Sequence, residues 1–491
     1  MATRGFTGLT FQPWQPHVAG PEHRSLWLHE AFDDKTEPAR VLQGARRADV
    51  GIIGGGFTGL WTAIRLRELD PTVSVAVVEA DLCGTGASGR CSGGIGTWWG
   101  KLPTLIKMLG KEDALRVLHA SVRGVEDIEA IVAERRLPCE WRRGRSVWSA
   151  TAPAQVGAWE AAFRAADEVG LAPPWRRLST EELGEMFGQK GPYLAGVIDE
   201  RASRVQPALF ARGLRQVAMA LGVEIFERSP VTRIAPGTSG LEIQTAAGTM
   251  TADKIVMAAN AWMAHLTEFR PSVMVVSSEI VATDPIPELL EHLGLRRRPG
   301  GFNSRLMVNY GGITPKGQVY LGRGGGTIAF AGRMRPAFDW SPKQAREVER
   351  DFRFLYPELR DVPITRSWAG PIDRSTTGLP WFSTLSASDR IHYAIGYSGH
   401  GVGASALGGR ILASSVLGRR DEWAALAECF ERARSGRFPP EPLRFLGGHV
   451  VRAGVARKEI AEREGRRPSR LDVALARLAP ATMSDYRKKP S

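Results

Sequence analysis

Val50, Ile52 and Ile53, with Gly51 among them, form a short apolar run, and from Leu60 the apolar positions Leu60, Ala63, Ile64 and Leu66 recur at helical spacing. The pattern predicts a buried strand, a turn and a helix, with Gly54, Gly55, Gly56 and Gly59 at the junction. A second apolar run, Ser74 to Val78, ends in Glu79. Strand, Gly-x-Gly-x-x-Gly turn, helix, strand and acid, in that order, let a backbone approach a pyrophosphate. They also set its charge on a helix N-terminus and offer an acceptor to ribose hydroxyls. The chain has 55 glycines, so the turn alone carries little. The five features together outweigh the reading as a glycine-rich turn beside a surface Glu.

Further along, Leu102 to Glu134 has a helical pattern, and "CEWRRGRSVWSAT" alternates and turns as strands do. "QPALFARGLRQVAMALGVEIFERSPVTRI" reads as helix then strand, and "LEIQTAAGTMTADKIVMAANAW" as strand, turn, strand. More strand-like pieces lie between Ser272 and Ile364. "IHYAIGYSGHGVGASALGGRILASSVLG" is again strand, glycine loop and helix. No apolar strand ending in an acid follows that loop, so the chain is expected to hold one dinucleotide rather than two. The late helix N-terminus can instead face a polar or partly negative group. From Asp421 the chain reads as a basic helical tail, broken at Pro439-Pro440-Glu441-Pro442.

The expected architecture is α/β. A discontinuous Rossmann-like domain spans 46–130, 198–265 and 365–420. An inserted α+β substrate domain spans 131–197 and 266–364, with an N-terminal arm over 1–45 wrapping the surface and a helical C-terminal tail over 421–491. An active site is expected where the two domains meet.

Composition narrows the function classes. The 491 residues are 43% hydrophobic and 24% charged, an ordinary globular balance with material for two or three domains. The net charge of +13 is spread mostly over scattered Arg, and the densest basic stretch, "RAGVARKEIAEREGRRPSR", interleaves Glu as a solvated helix does. With no recognition motif, no nucleic-acid partner is expected. Cys83, Cys91, Cys139 and Cys429 have no metal-ligand spacing, so no metal is expected. The first forty residues lack a continuous apolar core, and no run approaches a membrane span, so the expectation is a soluble cytoplasmic protein.

Taken together, "ADVGIIGGGFTGL", Glu79-Ala80, "GASGRCSGG", "SPVTRI", "ADKIVMAANAW", "SWAGPIDRSTTGLPWF", "GYSGHGVGASALGGRILA" and "RFPPEPLRFLG" resemble the FAD-dependent D-amino-acid oxidase superfamily, over nearly the whole chain. They are most similar to its amine-oxidising, gamma-glutamylputrescine oxidoreductase-like branch. The resemblance implies that Gly54, Gly56 and Gly59, with Phe57 and Thr58 between, cradle the FAD pyrophosphate and that Glu79 holds the adenosine ribose. It places Ser88, Gly89 and Arg90 on pyrophosphate or flavin, Val231 on adenine, and Gly399, His400, Gly401 and Val402 along the flavin. Two positions depart from the family pattern. Cys91-Ser92 stand where relatives often have Asn in Arg-Asn-Gly-Gly. Gly370 aligns where sarcosine-oxidase-like relatives carry a flavin-attaching Cys, so non-covalent FAD is expected.

A flavin accepts hydride from a C–H beside nitrogen, and the protein supplies position and electrostatics. The expected reaction is oxidation of an amine C–N bond to an imine and then an aldehyde, with oxygen or another carrier as electron acceptor. His400, Tyr310 and Arg323 are the candidate catalytic side chains, each weighed against a structural role. Trp98, Trp99, Trp368 and Trp381 are either pocket walls or core. Amino-acid oxidases of the superfamily often place a carboxylate-clamping Arg two residues after the Gly of Trp-x-Gly. Here that position is Ile372, which points to a substrate without an alpha-carboxylate. Two further readings stand beside it: an alpha-amino-acid oxidase using Arg374 or Arg323 as clamp, and a flavin-binding subunit without turnover.

Overall fold

The computed structural model describes residues 6–15, 23–32, 38–434 and 436–480. Gly44–Ile53 is flanked in parallel by Val75–Val78 on one side and Gly248–Met257 on the other. Glu224–Phe226 extends the parallel set beyond Val75–Val78, and Ser388–Ile395 joins beside Ile255–Met257. Strands covered on both faces carry continuous apolar runs, and Val75, Ala76, Val77 and Val78 are all buried. The helix Phe57–Leu69 packs under this sheet against Gly401–Val416. An added Cβ at Gly409 would lie 2.6 Å from the Trp61 Cβ, so the small residue sets how closely the two helices approach. Antiparallel strands Arg233–Pro236, Leu241–Gln244 and Trp381–Leu385 complete the nine-stranded sheet, with Leu9–Thr10 of the arm on its edge.

A second, eight-stranded sheet runs Arg366–Ser375, Val273–Ala282, Val319–Arg323, Asn309–Ile313, Gly300–Asn303, Ser146–Ala150, Ala195–Asp199 and Trp175–Leu178. The stretch 366–375, expected with the cofactor-binding half, is the edge strand of this sheet. It pairs with Val273–Ala282 through ten consecutive residues without a register break. The chain rejoins the first sheet at Trp381–Leu385. A small third sheet, Gly94–Ile95, Ser203–Arg204 and Arg142–Arg143, bridges the two.

The described parts of the arm are more embedded than a surface wrap. Ser25 caps the helix Leu26–Ala31, and Leu26, Trp27 and Leu28 are buried. The Trp27 ring meets Tyr320 and Trp368 edge-on, at 5.1 and 6.1 Å between centroids. The tail forms the helices Glu422–Arg432, Leu443–Arg463 and Arg470–Ala476, and 481–491 lie outside the described residues. Glu459 ties the tail to the second sheet: it pairs with Arg305 at 2.9 Å and accepts from the Met307 N–H at 3.0 Å.

The first strand-to-helix turn depends on Gly59, where an added Cβ would lie 1.9 Å from the Gly54 carbonyl oxygen. Gly59→Ala is expected to cost roughly 2–3 kcal/mol, toward the upper end of overpacking effects, because the obstruction is backbone. The check is thermal unfolding beside Gly447→Ala, a helical position where an added Cβ meets nothing within 4 Å. Gly59→Ala is expected to lower the Tm by several degrees, whereas Gly447→Ala holds or raises it.

Candidate active site

A cavity of about 770 Å³ opens where the two large sheets meet, in the upper range for ligand sites. One end is built by the first turn. Gly54 adopts a φ of +109°, and an added Cβ there would lie 2.7 Å from the Ala258 carbonyl oxygen. Gly56 differs, since an added Cβ would meet only Ser88 Oγ, at 3.0 Å. Its missing side chain leaves room in the cavity above the N-terminus of Phe57–Leu69, which no side chain of its own cap residue closes. Ser88 Oγ accepts from the Phe57 N–H at 3.0 Å. Glu79 Oε2 accepts from the Gly55 N–H at 2.6 Å and Oε1 from the Asp81 N–H at 3.0 Å. Burial nevertheless pushes the Glu79 carboxyl up to about 7, because desolvation outweighs those two bonds.

The other end is set by Arg366–Ser375. Gly370, Ile372 and Arg374 alternate along the cavity wall, whereas Asp373, which also borders the cavity, and Ser375 are buried and engage the 396–398 loop. Asp373 Oδ2 accepts from the Gly396 N–H at 2.6 Å, and Ser398 Oγ accepts from the Ser375 N–H at 3.1 Å. These bonds hold the loop that delivers Gly399 and His400. Burial raises the Asp373 carboxyl to about 6. Thr58 Oγ1 donates to the Tyr397 hydroxyl at 2.8 Å, tying the late loop to the first helix.

His400 is the N-cap residue of Gly401–Val416, and its Nδ1 is buried without a hydrogen-bond partner. Desolvation, then Lys101 and Arg374, hold the imidazole well below its usual range, so it is neutral at pH 7. Thr97 Oγ1, also in the cavity wall, is likewise buried and unpartnered.

Of the residues singled out from the sequence, Gly54, Gly56, Phe57, Thr58, Glu79, Ser88, Arg90, Val231, Gly399, His400, Gly401 and Val402 all line this cavity. Gly59 and Gly89 stand behind it. An added Cβ at Gly89 would lie 2.4 Å from the Gly84 carbonyl oxygen, so this glycine serves packing. Arg90 is buried, pairs with Asp339 at 2.6 Å and donates to the Thr85 carbonyl at 2.9 Å. Cys91 Sγ donates to the Ser88 carbonyl at 3.4 Å, and burial pushes its thiol up to about 11.

Among the candidate catalytic residues, His400 and Tyr310 reach the cavity and Arg323 does not. Arg323 pairs with Glu347 and, at 3.2 Å, with Asp351, in a buried network that also holds Arg305. Tyr310 OH lies 2.6 Å from Ser278 Oγ, whose own proton goes to the Arg323 carbonyl at 2.9 Å. The Tyr310 proton is therefore committed to Ser278, and burial raises this phenol above its usual range. What the hydroxyl still offers the cavity is acceptor capacity. Trp368 and Trp381 are core, and Trp368 donates its indole N–H to the Arg90 carbonyl at 3.0 Å.

Sequence reasoning missed Trp14, Trp262, Trp148, Phe302, Arg142 and Arg204 as cavity residues. Trp262 ends the quoted "ADKIVMAANAW" and was within reach. Trp14 arrives through the edge strand Leu9–Thr10, and its ring lies 5.8 Å from that of Trp262. No local pattern marks such a contact. Among the described residues no group of three or more His, Cys, Asp or Glu is placed to hold a metal, and no helix is long and apolar enough to cross a membrane.

A family model described as FAD dependent oxidoreductase matches residues 49–415. The chain is 26% identical over 414 residues to a probable oxidoreductase OrdL of Haemophilus influenzae, covering 82% of this chain and 89% of that one. It is 25% identical over 444 residues to the gamma-glutamylputrescine oxidoreductase of Escherichia coli, covering 88% and 95%. Among solved structures, glycine oxidase from Geobacillus kaustophilus superposes with a TM-score of 0.63 at 21% identity, covering 77% of this chain and 96% of that one. L-proline dehydrogenase from P. horikoshii superposes with a TM-score of 0.62 at 21% identity, covering 79% of this chain and 99% of that one. With the fingerprint, the late glycine loop and the two-sheet cavity in the places this fold requires, the chain belongs to the FAD dependent oxidoreductase family, and its cofactor is FAD.

Proposed function

We propose that this oxidoreductase oxidises the C–N bond of an amine that lacks an alpha-carboxylate. The observation that carries the reading is Ile372, which faces the cavity directly beside the late loop. An added Cβ on Gly399 would lie 3.5 Å from Ile372 Cδ1. An alpha-carboxylate entering there meets a hydrocarbon, and burying that anion unpaired costs several kcal/mol. The relative named gamma-glutamylputrescine oxidoreductase supports an amine as substrate.

The chain's residues fit the cofactor. The turn Gly54–Gly59, with Ser88, would hold the pyrophosphate at the uncapped helix N-terminus, where Gly56 leaves the space. Glu79 would take the ribose hydroxyls, Val231 would meet adenine, and Arg90 would lie toward the flavin. Gly399, His400, Gly401 and Val402 border the flavin, where the unpartnered His400 Nδ1 and the second uncapped helix N-terminus favour a polar, electron-rich edge. Bound there, the flavin supplies a hydride acceptor. Tyr310 accepts an N–H from the amine and so orients its C–H. The neutral His400 and the high-pKa Tyr310 leave the substrate to enter as free base. The imine that results is hydrolysed by water to an aldehyde and ammonia or a smaller amine.

Oxidation of alpha-amino acids is a second reading, favoured by Arg374. The unbroken register puts Arg374 on the same face as Ile372. Its guanidinium, however, donates to the Pro480 carbonyl of the tail at 3.4 Å, which draws it toward the rim.

Three outcomes are expected. Acid precipitation leaves the yellow colour in the supernatant as free FAD, since Gly370 stands where a covalent link would need a cysteine; colour that stays in the pellet contradicts this. Gly56→Val gives folded protein with a small fraction of the wild-type flavin-to-protein absorbance ratio, and full flavin content removes Gly56 from the site. Under anaerobic conditions, mono- and diamines bleach the flavin faster than any alpha-amino acid, and Ile372→Arg shifts the ratio of rates toward amino acids by about tenfold or more, the worth of a charge-assisted hydrogen bond. A simple amino acid that outruns every amine transfers the reading to Arg374, and a flavin that nothing bleaches marks a binding subunit.

A further inference from the structure

The small third sheet sets two arginines directly opposite each other. Arg142 and Arg204 are register partners, and both line the cavity. Like charges at facing positions oppose the pairing that brings them together. Among the described residues, neither has a carboxylate within ion-pair distance, although Arg90, Arg305 and Arg323 in the same region each have one.

What these two arginines do contact is neutral. Arg142 donates to the Ile313 carbonyl at 2.9 Å. Arg204 donates to the Gly311 carbonyl at 3.3 Å and to the Tyr320 hydroxyl, and its guanidinium lies 5.5 Å from the Tyr320 ring centre. Tyr320 in turn donates to the Ser92 carbonyl at 3.2 Å, in the loop after Arg90. The Arg204 guanidinium occupies a slot that exists only because two neighbours lack side chains. An added Cβ on Gly300 would lie 1.7 Å from Nη2, and one on Gly312 would lie 1.9 Å from Nη1. None of the cavity carboxylates is in an ion pair with either arginine: Asp339 serves Arg90, and Glu79, Asp199 and Asp373 serve backbone N–H groups. Burial and then Arg204 disfavour the charge on Arg142 by more than Tyr320 and Glu140 favour it, and a bound anion would relieve that cost.

We propose that Arg142 and Arg204 form an anion subsite that receives a carboxylate carried by the substrate remote from the carbon being oxidised. The substrate class is then an amine with a free carboxylate several bonds from its C–N bond. Planar guanidinium forks suit such a group. Ile372 excludes the carboxylate next to the reacting carbon, while the arginine pair accepts one farther along the chain. This rests on the amine reading above.

The test uses flavin-loaded full-length protein, wild type and Arg142→Gln, a substitution that leaves the Gly300–Gly312 slot around Arg204 intact. Anaerobic flavin reduction is measured with 5-aminopentanoate and with pentylamine. Binding of glutarate, which cannot be oxidised, is followed by the flavin spectrum. Wild type is expected to half-saturate at about tenfold or more lower 5-aminopentanoate than pentylamine, and Arg142→Gln to lose that preference and to bind glutarate at least about tenfold more weakly. Arg204→Lys, which keeps the charge without the fork, is expected to fall between them.

Equal half-saturation by the two amines in wild type, with glutarate binding unmoved in Arg142→Gln, overturns the subsite and leaves the amine reading standing. Inorganic phosphate that binds as tightly as glutarate also overturns it, because the site then takes a free anion. Failure of the amine reading looks different: neither amine reduces the flavin, while glutarate binding still falls in Arg142→Gln, which upholds the anion subsite on its own.

Discussion

The strict alternation of Arg366–Ser375 is the constraint on which the site depends. One strand has to serve two sheets' worth of structure. Its ten-residue pairing with Val273–Ala282 fixes it in the second sheet. Its Asp373 and Ser375 hold the 396–398 loop that starts the late helix. Gly370, Ile372 and Arg374, the positions between, have no such task and line the cavity. A one-residue slip would turn the Asp373 carboxylate away from the Gly396 N–H and release the loop. The Thr58–Tyr397 hydrogen bond then links that loop to the first turn, so the two helix N-termini are positioned by a single connected set of contacts.

Three titratable groups of the cavity wall are held in neutral forms: His400 by desolvation and the nearby Lys101 and Arg374, Tyr310 and Cys91 by burial. That suits a reaction in which the cofactor takes the hydride and no protein base has to carry a charge. Arg142 and Arg204, by contrast, face each other across the small third sheet with no carboxylate at ion-pair distance among the described residues, although the neighbouring Arg143 pairs with Glu129. On the proposed reading, Ile372 and this arginine pair together discriminate by where along a substrate its charge lies.

Much of the cofactor half was legible in the sequence because its signals are local. The strand, glycine turn and acid at 50–79 follow from backbone sterics and burial. The late loop is legible for the same reason, its glycines and the helix after it lying within one short stretch. The fate of Arg366–Ser375 was not legible, because an alternating run reads the same whichever sheet it joins and only long-range pairing decides. Arg323 shows a different limit. Its type suits a clamp, but the Asp351 and Glu347 that engage it lie on a helix more than twenty residues away, Pro342–Leu355. Trp14 and the Arg142–Arg204 pair were hidden for the same reason, each being brought to the cavity by strand pairing between distant segments.

The most direct measurement is a crystal structure of the flavin-loaded protein. The account predicts pyrophosphate density against Gly54–Gly59 and Ser88, the adenosine ribose on Glu79, and the flavin between Gly399–Val402 and the face of Arg366–Ser375 that carries Gly370 and Ile372. Flavin density on the other side of that strand, or a pyrophosphate away from the first turn, would contradict it.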